Sequence, residues 1–287
     1  MQTPARRTFG IVALQLAYGP GDNLIAIGAE VTAVRRRLPW VGMVLIGELC
    51  AFGPDLALAQ DPGGAAEQYF RRIARETGLW LVPGSIYERH GEQVFNVSPI
   101  IDPRGEVVGH HRKLFPWRPY ERGVSAGTAV TVFDVPDVGR FGLSNCYDMW
   151  FPETTRSMVA QGAEVILHPG MTTTIDRDVE ISISRANAAI NQCYFVDVNV
   201  AGSLGNGRSV VCGPGGEIIH QAGSGREVIA FEVDLALVER VRHRGWHGLG
   251  QSLKSFRDRD VEFPVYAHGR APTPYLESLG PLTLPAI

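Results

Sequence analysis

The sequence lacks any run of about 18 uninterrupted apolar residues, the minimum for a bilayer-spanning helix, so no segment is expected to cross a membrane. It also lacks a basic surplus: 27 Lys and Arg face 30 Asp and Glu, a formal net charge of −3. A phosphate backbone offers such a chain little electrostatic gain, which excludes nucleic acid as the expected partner. Cysteine is scarce, with only residues 50, 146, 193 and 212. Their spacing is neither that of a zinc site nor that of a disulfide framework, and it fits a reducing cytoplasm. Met1 to Arg7 carries two arginines but no apolar run followed by a small-residue cleavage site, so no secretory signal is read there. Solenoid repeats and long linkers are absent too, which argues for one α/β domain over residues 1–287, in its simplest form a two-layered one.

What is present is a globular composition, 45% hydrophobic and 20% charged, sufficient for one large core or two modest ones. Strand-like and helix-like segments alternate throughout. Strands are expected at 8–17, 41–46, 79–87 and 93–101, and helices at 23–37 and 65–77. Asp102-Pro103-Arg104-Gly105 is a tight turn joining Ile100 and Val107 in a hairpin, and a loop rich in Pro, Gly and aromatics reaches Thr128. Further strands are expected at 129–135, 140–146, 164–168, 193–200, 208–213, 217–220 and 227–233. Helices are expected at 153–161 and 178–191, with a short one from Asp234. From about His243 periodicity fades into a Pro-rich tail, so residues 243–287 read as an extension that packs on a neighbouring subunit.

The chain is organised around Phe141 to Glu153, where an apolar strand runs into Cys146 and Pro152 opens a helix. The end of a strand is where α/β sheets bind ligands, and a nearby helix N-terminus favours thiolate over thiol. The alternative for Cys146 alone is a small buried hydrophobe. Glu48 and Lys113 likewise follow apolar strands. A carboxylate to take the thiol proton, a thiolate to attack, and an ammonium to stabilise the developing charge make a complete chemical set. Taken singly, Glu48 also reads as a structural salt bridge and Lys113 as a solvated turn lysine.

Gly47-Glu48-Leu49, His111-Arg112-Lys113-Leu114 and Asn145-Cys146-Tyr147-Asp148 resemble, in that order, the three motif contexts of the nitrilase, or carbon–nitrogen hydrolase, superfamily. Trp150-Phe151-Pro152-Glu153, Arg156 and Gly162-Ala163-Glu164 extend the similarity. The resemblance implies a four-layer αββα sandwich, assembled as a homodimer or larger even oligomer, and a cofactor-free and metal-free thiol hydrolase. It implies Glu48 as general base, Cys146 as nucleophile forming an acyl-enzyme, and Lys113 with the Tyr147 backbone N–H as the oxyanion hole. Many amidase members carry a second glutamate after the lysine, and Glu121 stands in that place. The substrate implied is a small carboxamide or carbamoyl compound that releases ammonia. A nitrile, or a metabolite bound without turnover, is the alternative.

Gly47 replaces a proline common in relatives, so a looser turn is expected there. Trp150 and Ser255-Phe256-Arg257-Asp258-Arg259 resemble the N-carbamoylputrescine amidase branch. Trp117, Trp150 and His168 are expected to line the substrate pocket beside Tyr147. His110 and His111 read as an exposed turn pair. His243 and His247 are four apart but have Gly245 between them, which argues against a metal site. Gly213-Pro214-Gly215-Gly216 reads as a hairpin turn. Cys193 and Cys212 read as core, and Cys50 lies two residues after Glu48.

Overall fold

Alternation along the longest strands decides the layering. In the computed structural model, which describes residues 7–266 and 273–284, β1 (Thr8–Gln15) buries Ile11 and Ala13 on one face and Val12 and Leu14 on the other. After α1 (Leu24–Arg37), β2 (Val41–Ile46) repeats the pattern with Met43 and Leu45 opposite Val44 and Ile46. Strands buried on both faces must be covered on both. The helices α1 and α2 (Ala65–Thr77) supply one cover, through Ile27, Val31 and Val34 and through Phe70, Ile73 and Ala74.

The chain continues through β3 (Trp80–Val82), β4 (Ile86–His90), β5 (Gln93–Ile101), β6 (Val107–Arg112) and β7 (Val124–Ser125). With a late strand that returns to pair with β1, these complete the first sheet. The second sheet begins with β8 (Thr131–Val135) and β9 (Gly139–Leu143). Next come α3 (Pro152–Ala160), β10 (Val165–Gly170), α4 (Arg177–Asn191), β11 (Tyr194–Asn199), β12 (Val210–Cys212) and β13 (Ile218–Gln221). The returning strand is β14 (Glu227–Asp234), followed by α5 (Leu235–Arg244). The first sheet runs β14-β1-β2-β3-β5-β4, with β6 and β7 both paired to β5, and the second runs β13-β12-β11-β10-β9-β8.

Between the sheets Ile11, Met43 and Leu45 meet Phe141, Leu143, Leu167 and Val196. On the outer face of the second sheet, Ile166 and Phe195 meet Met158 of α3 and Ala188 of α4. The order of layers is therefore helix, sheet, sheet, helix, as the resemblance implies; the two layers expected from element alternation alone are corrected to four, because β1 and β2 are buried on both faces and the second sheet covers one of them.

Several boundaries differ from expectation for local reasons. The strand expected over 79–87 is two strands, broken at Pro83-Gly84-Ser85. Gly84 has φ +79°, and a Cβ there would sit 1.9 Å from the carbonyl oxygen of Gly47, so only glycine permits the approach. Gly47 is itself confined, since a Cβ would lie 2.6 Å from Val200 Cγ1. The turn is tight rather than loose. His111 is no exposed turn residue: it lies in β6, fully buried, while its neighbour His110 faces Glu67. In the tail, α6 (Ser252–Arg257) packs on its own chain, with Ser252 Oγ donating to the Ile190 carbonyl of α4 and Arg156 stacked over Phe256. A last short helix, α7, spans Pro274–Ser278. The parts of the N-terminal and tail readings that fall on 1–6, 267–272 and 285–287 lie outside the described residues.

Candidate active site

Three strand ends converge. Glu48 follows β2 by two residues, Lys113 follows β6 by one, and Cys146 follows β9 by three. The Glu48 N–H donates to Gly170 O of β10, which ties the end of the first sheet to the second, and the Ser144 N–H donates to Leu167 O, which holds the end of β9 against β10. Cys146 does not continue its strand. It opens a five-residue 3-10 turn, Cys146–Trp150, with φ +48°. Leu49, next to Glu48, has φ +50°. Non-glycine residues in this left-handed region cost about 1–3 kcal/mol each and persist where the surroundings enforce them.

The charged groups are buried and mutually bonded. Lys113 Nζ donates to Glu48 Oε1 at 2.9 Å and to Glu121 Oε2 at 2.8 Å. Glu121 also accepts from the Trp117 N–H. Asn96 Nδ2 donates to Glu48 Oε1 at 2.8 Å, and Asn145 Nδ2 donates to Asn96 Oδ1 at 3.1 Å. Glu48 and Cys146 line the same cavity.

Burial pushes the Glu48 carboxyl above its ordinary range; the Lys113 ammonium opposes this and the Glu121 charge adds to it. Burial would lower the Lys113 ammonium, but the negative charge that Cys146 carries when ionised, with those of Glu48 and Glu121, outweighs it and holds Lys113 well above its usual value. Burial drives the Cys146 thiol well above the free value, and the Glu48 charge adds to that shift. Burial and the Glu48 charge thus oppose the thiolate that a nearby helix end favours, so Cys146 needs a base to give up its proton.

Asp148 braces the turn that carries Cys146. Its Oδ1 accepts the N–H groups of Leu114 and Phe115, both at 2.9 Å, and its Oδ2 accepts the Asn145 N–H at 3.0 Å and His111 Nε2 at 2.9 Å. One fully buried carboxylate thus links the residues after Lys113 to the residue before Cys146.

A cavity of about 300 Å³ opens over Glu48, Lys113, Glu121 and Cys146, walled by Tyr87, Trp117, Tyr120, Arg122 and Met171 among others. A smaller one of about 40 Å³ adjoins Cys146 and is lined by Trp117, Tyr147, Trp150, Asp176 and Glu180. Trp117 lines both cavities, and Tyr147 and Trp150 line the smaller one. His168, expected to line the pocket, lines neither cavity. It sits in β10 with Nδ1 2.7 Å from Ser144 Oγ, and burial lowers its pKa to about 3, so it is a neutral core residue.

Sequence reasoning missed Asn96, Tyr87, Met171, Arg122 and the bracing role of Asp148. Asn96 carried a signal, a lone amide amid the apolar run Val94-Phe95 and Val97; the others carried none. Burial drives the Cys50, Cys193 and Cys212 thiols up to about 12, which leaves them inert. Among the described residues, Glu67, Glu88 and His110 bring potential metal-ligand atoms within 4.8 Å of one another, but none of them lines either cavity. His243 ends within α5 and His247 lies beyond its terminal Gly245, so the two do not share a helical face.

Comparison with known proteins follows the same outline. Residues 32–243 match the family model for carbon-nitrogen hydrolase. The chain is 28% identical over 246 residues to the 2-oxoglutaramate amidase of Bacillus subtilis (strain 168), an alignment covering 82% of this chain and 93% of that protein. It is 27% identical over 283 residues to a formamidase of Allorhizobium ampelinum, covering 93% and 82% respectively. Among solved structures, a Saccharomyces cerevisiae member of branch 10 of the nitrilase superfamily superposes with a TM-score of 0.77 at 25% identity, over 83% of this chain and 94% of that one.

Proposed function

The chain belongs to the carbon–nitrogen hydrolase family, as an amidase-type hydrolase of non-peptide carbon–nitrogen bonds in small molecules, and on that premise we propose that Cys146, Glu48 and Lys113 carry the reaction. The observation that supports this reading most is the Lys113 ammonium bridging two buried carboxylates at the floor of the cavity that also holds Cys146.

Glu48 takes the Cys146 proton as the sulfur attacks the carbonyl carbon of the amide. The carbonyl π pair moves onto oxygen, and the oxyanion is met by the Lys113 ammonium and the Tyr147 N–H. Tyr147 lies in the first turn of the 3-10 segment, where N–H groups have no intrahelical partner. Collapse breaks the C–N bond, Glu48 returns the proton to the departing nitrogen, and ammonia leaves an acyl thioester. Water then gives its proton to Glu48 and attacks the thioester. Departure of the sulfur, which recovers its proton, releases the carboxylic acid. Glu121 holds Lys113 in place together with Glu48, and Trp117 and Trp150 wall the acyl group. The same reading makes residues 1–287 one domain and places the enzyme in the cytoplasm, consistent with its four free cysteines. It also pairs subunits into a homodimer or larger even oligomer through residues 243–287, whose Val261, Val265 and Tyr266 are exposed.

Intact-mass spectrometry with matched small amides and nitriles tests the assignment. An acyl adduct on the native chain that is absent from Cys146→Ala, with ammonia released from the amide, is the expected result. Ammonia from the nitrile alone would replace the amidase by a nitrilase, and an adduct that persists in Cys146→Ala would remove Cys146 as nucleophile.

A further inference from the structure

Resting on this amidase reading, we infer that Arg122 selects amides whose far end carries a carboxylate. The cavity has a marked polarity. At its floor Glu48 and Glu121 share the single ammonium of Lys113, which leaves one excess negative charge. The adjoining small cavity adds Asp176 and Glu180, of which Glu180 is paired with Arg177. Arg122 stands in the wall of the main cavity, exposed, and makes no ion pair or hydrogen bond among the described residues. Every other lining cation is taken: Lys113 is held by two carboxylates.

The loop that carries Arg122 is fixed while its guanidinium is left unspent. Glu121 is bonded to Lys113 and to the Trp117 N–H, and the Glu121 N–H donates to Trp117 O at 2.8 Å. Val124 pairs with Val94 in the first sheet. Arg118 donates to the carbonyl oxygens of Glu121 and Val124, which satisfies its N–H groups without neutralising its charge. Arg122 is therefore carried into the cavity wall on a braced backbone.

A substrate bearing an amide at one end and a carboxylate at the other has one favourable orientation in such a field. The carboxylate is repelled from the floor and met by the planar fork of Arg122, which suits it bidentately. That turns the amide inward to Cys146. A cavity of about 300 Å³ lies at the small end for ligand sites, so a chain of a few carbons spans it. An amide with a distal ammonium is drawn the wrong way, its charge towards Glu48 and Glu121.

The test compares three amides of equal chain length, butyramide, succinamate and 4-aminobutanamide, on the full chain and on Arg122→Gln and Arg122→Lys. Succinamate is expected to give the highest kcat/KM. Arg122→Gln is expected to reduce the succinamate-to-butyramide ratio by about 10- to 100-fold, chiefly through KM, as befits a charge-assisted contact. Arg122→Lys should recover part of that ratio, because it restores the charge without the fork. Butylammonium is expected to inhibit more strongly than butyrate. A native preference for butyramide or the aminoamide, or a ratio unmoved in Arg122→Gln, overturns the inference and leaves the amidase intact. Absence of both ammonia and a Cys146 adduct with every amide overturns the amidase reading itself, and the inference with it.

Discussion

Two buried cations in this protein are each gripped by two carboxylates, one in each sheet's territory. Lys113 meets Glu48 and Glu121 at 2.9 and 2.8 Å; Arg177 meets Asp197 and Glu180 at 2.8 and 3.1 Å. The electrostatics run in parallel. Burial raises both Glu48 and Asp197, and the neighbouring cation opposes it in each case. Burial likewise works against Lys113 and Arg177, and nearby negative charge outweighs it, from Cys146 when ionised, Glu48 and Glu121 in one case and from Asp197 and Glu180 in the other. The surroundings differ. Arg177 spends its guanidinium on the structure, donating also to Arg208 O, and with Ser184 bonded to both Glu180 O and Asp197 Oδ2 the cluster pins α4 to β11. Lys113 instead faces a cavity and a thiol. A buried ion cluster is therefore not a reactive site by itself. The cavity, the nucleophile and the donor capacity left for a developing oxyanion make the difference.

The sharpest separation of the two clusters comes from Glu48→Gln. The amide keeps an acceptor for Asn96 and Lys113 but cannot take the thiol proton, so turnover should fall by about 10²- to 10⁴-fold. The thermal midpoint should hold or rise, because an isosteric neutral group replaces a buried charge. Ammonia release and calorimetry on the same sample measure both. Loss of stability without loss of rate would make the Lys113 cluster structural and erase the distinction.

Arg177→Met should behave in the opposite way. It strands Asp197 and Glu180 without a cation, so unfolding free energy should drop by about 3–5 kcal/mol. Turnover per folded molecule, measured well below the melting transition, should persist. Urea titration beside active-site counting checks it, and an inactive but fully stable variant would place Arg177 in the reaction.

The smallest effect expected is a displacement along the pH axis. Glu48 must be ionised to accept the thiol proton, and its pKa is raised above 4.5, so activity declines as pH falls through that raised value. The Glu121 charge is one of the causes raising it. Glu121→Gln removes that contribution, so the acid limb of kcat/KM should move to lower pH. A pH–rate profile of the variant reads the shift directly, and a limb that stays in place or moves upward would detach Glu121 from Glu48.

Much of this was legible in the chain. β2, α2 and β5 fall on the residues that periodicity indicates, because alternation and helical spacing are local signals. Glu48, Lys113 and Cys146 stood out as polar residues closing apolar strands, a pattern that buried strands make conspicuous. Legibility failed where the decisive contact was remote in sequence. Nothing near Gly84 shows that the Gly47 carbonyl will press against it, and nothing in His110-His111 distinguishes the half-exposed ring from the one sealed against Asp148. His168 closes an apolar run as Glu48 does, yet its ring turns into the core towards Ser144.

The sequence by itself determined the alternation of strands and helices and the residue types of the reaction, since each is written within a few neighbouring positions; four layers came only from the family resemblance. Only the tertiary structure decided that strand ends from two sheets converge on one cavity, that burial opposes ionisation of the Cys146 thiol, and that Arg122 remains unpaired among the described residues. Those properties depend on packing between segments many residues apart, and burial there sets the cost of every charge.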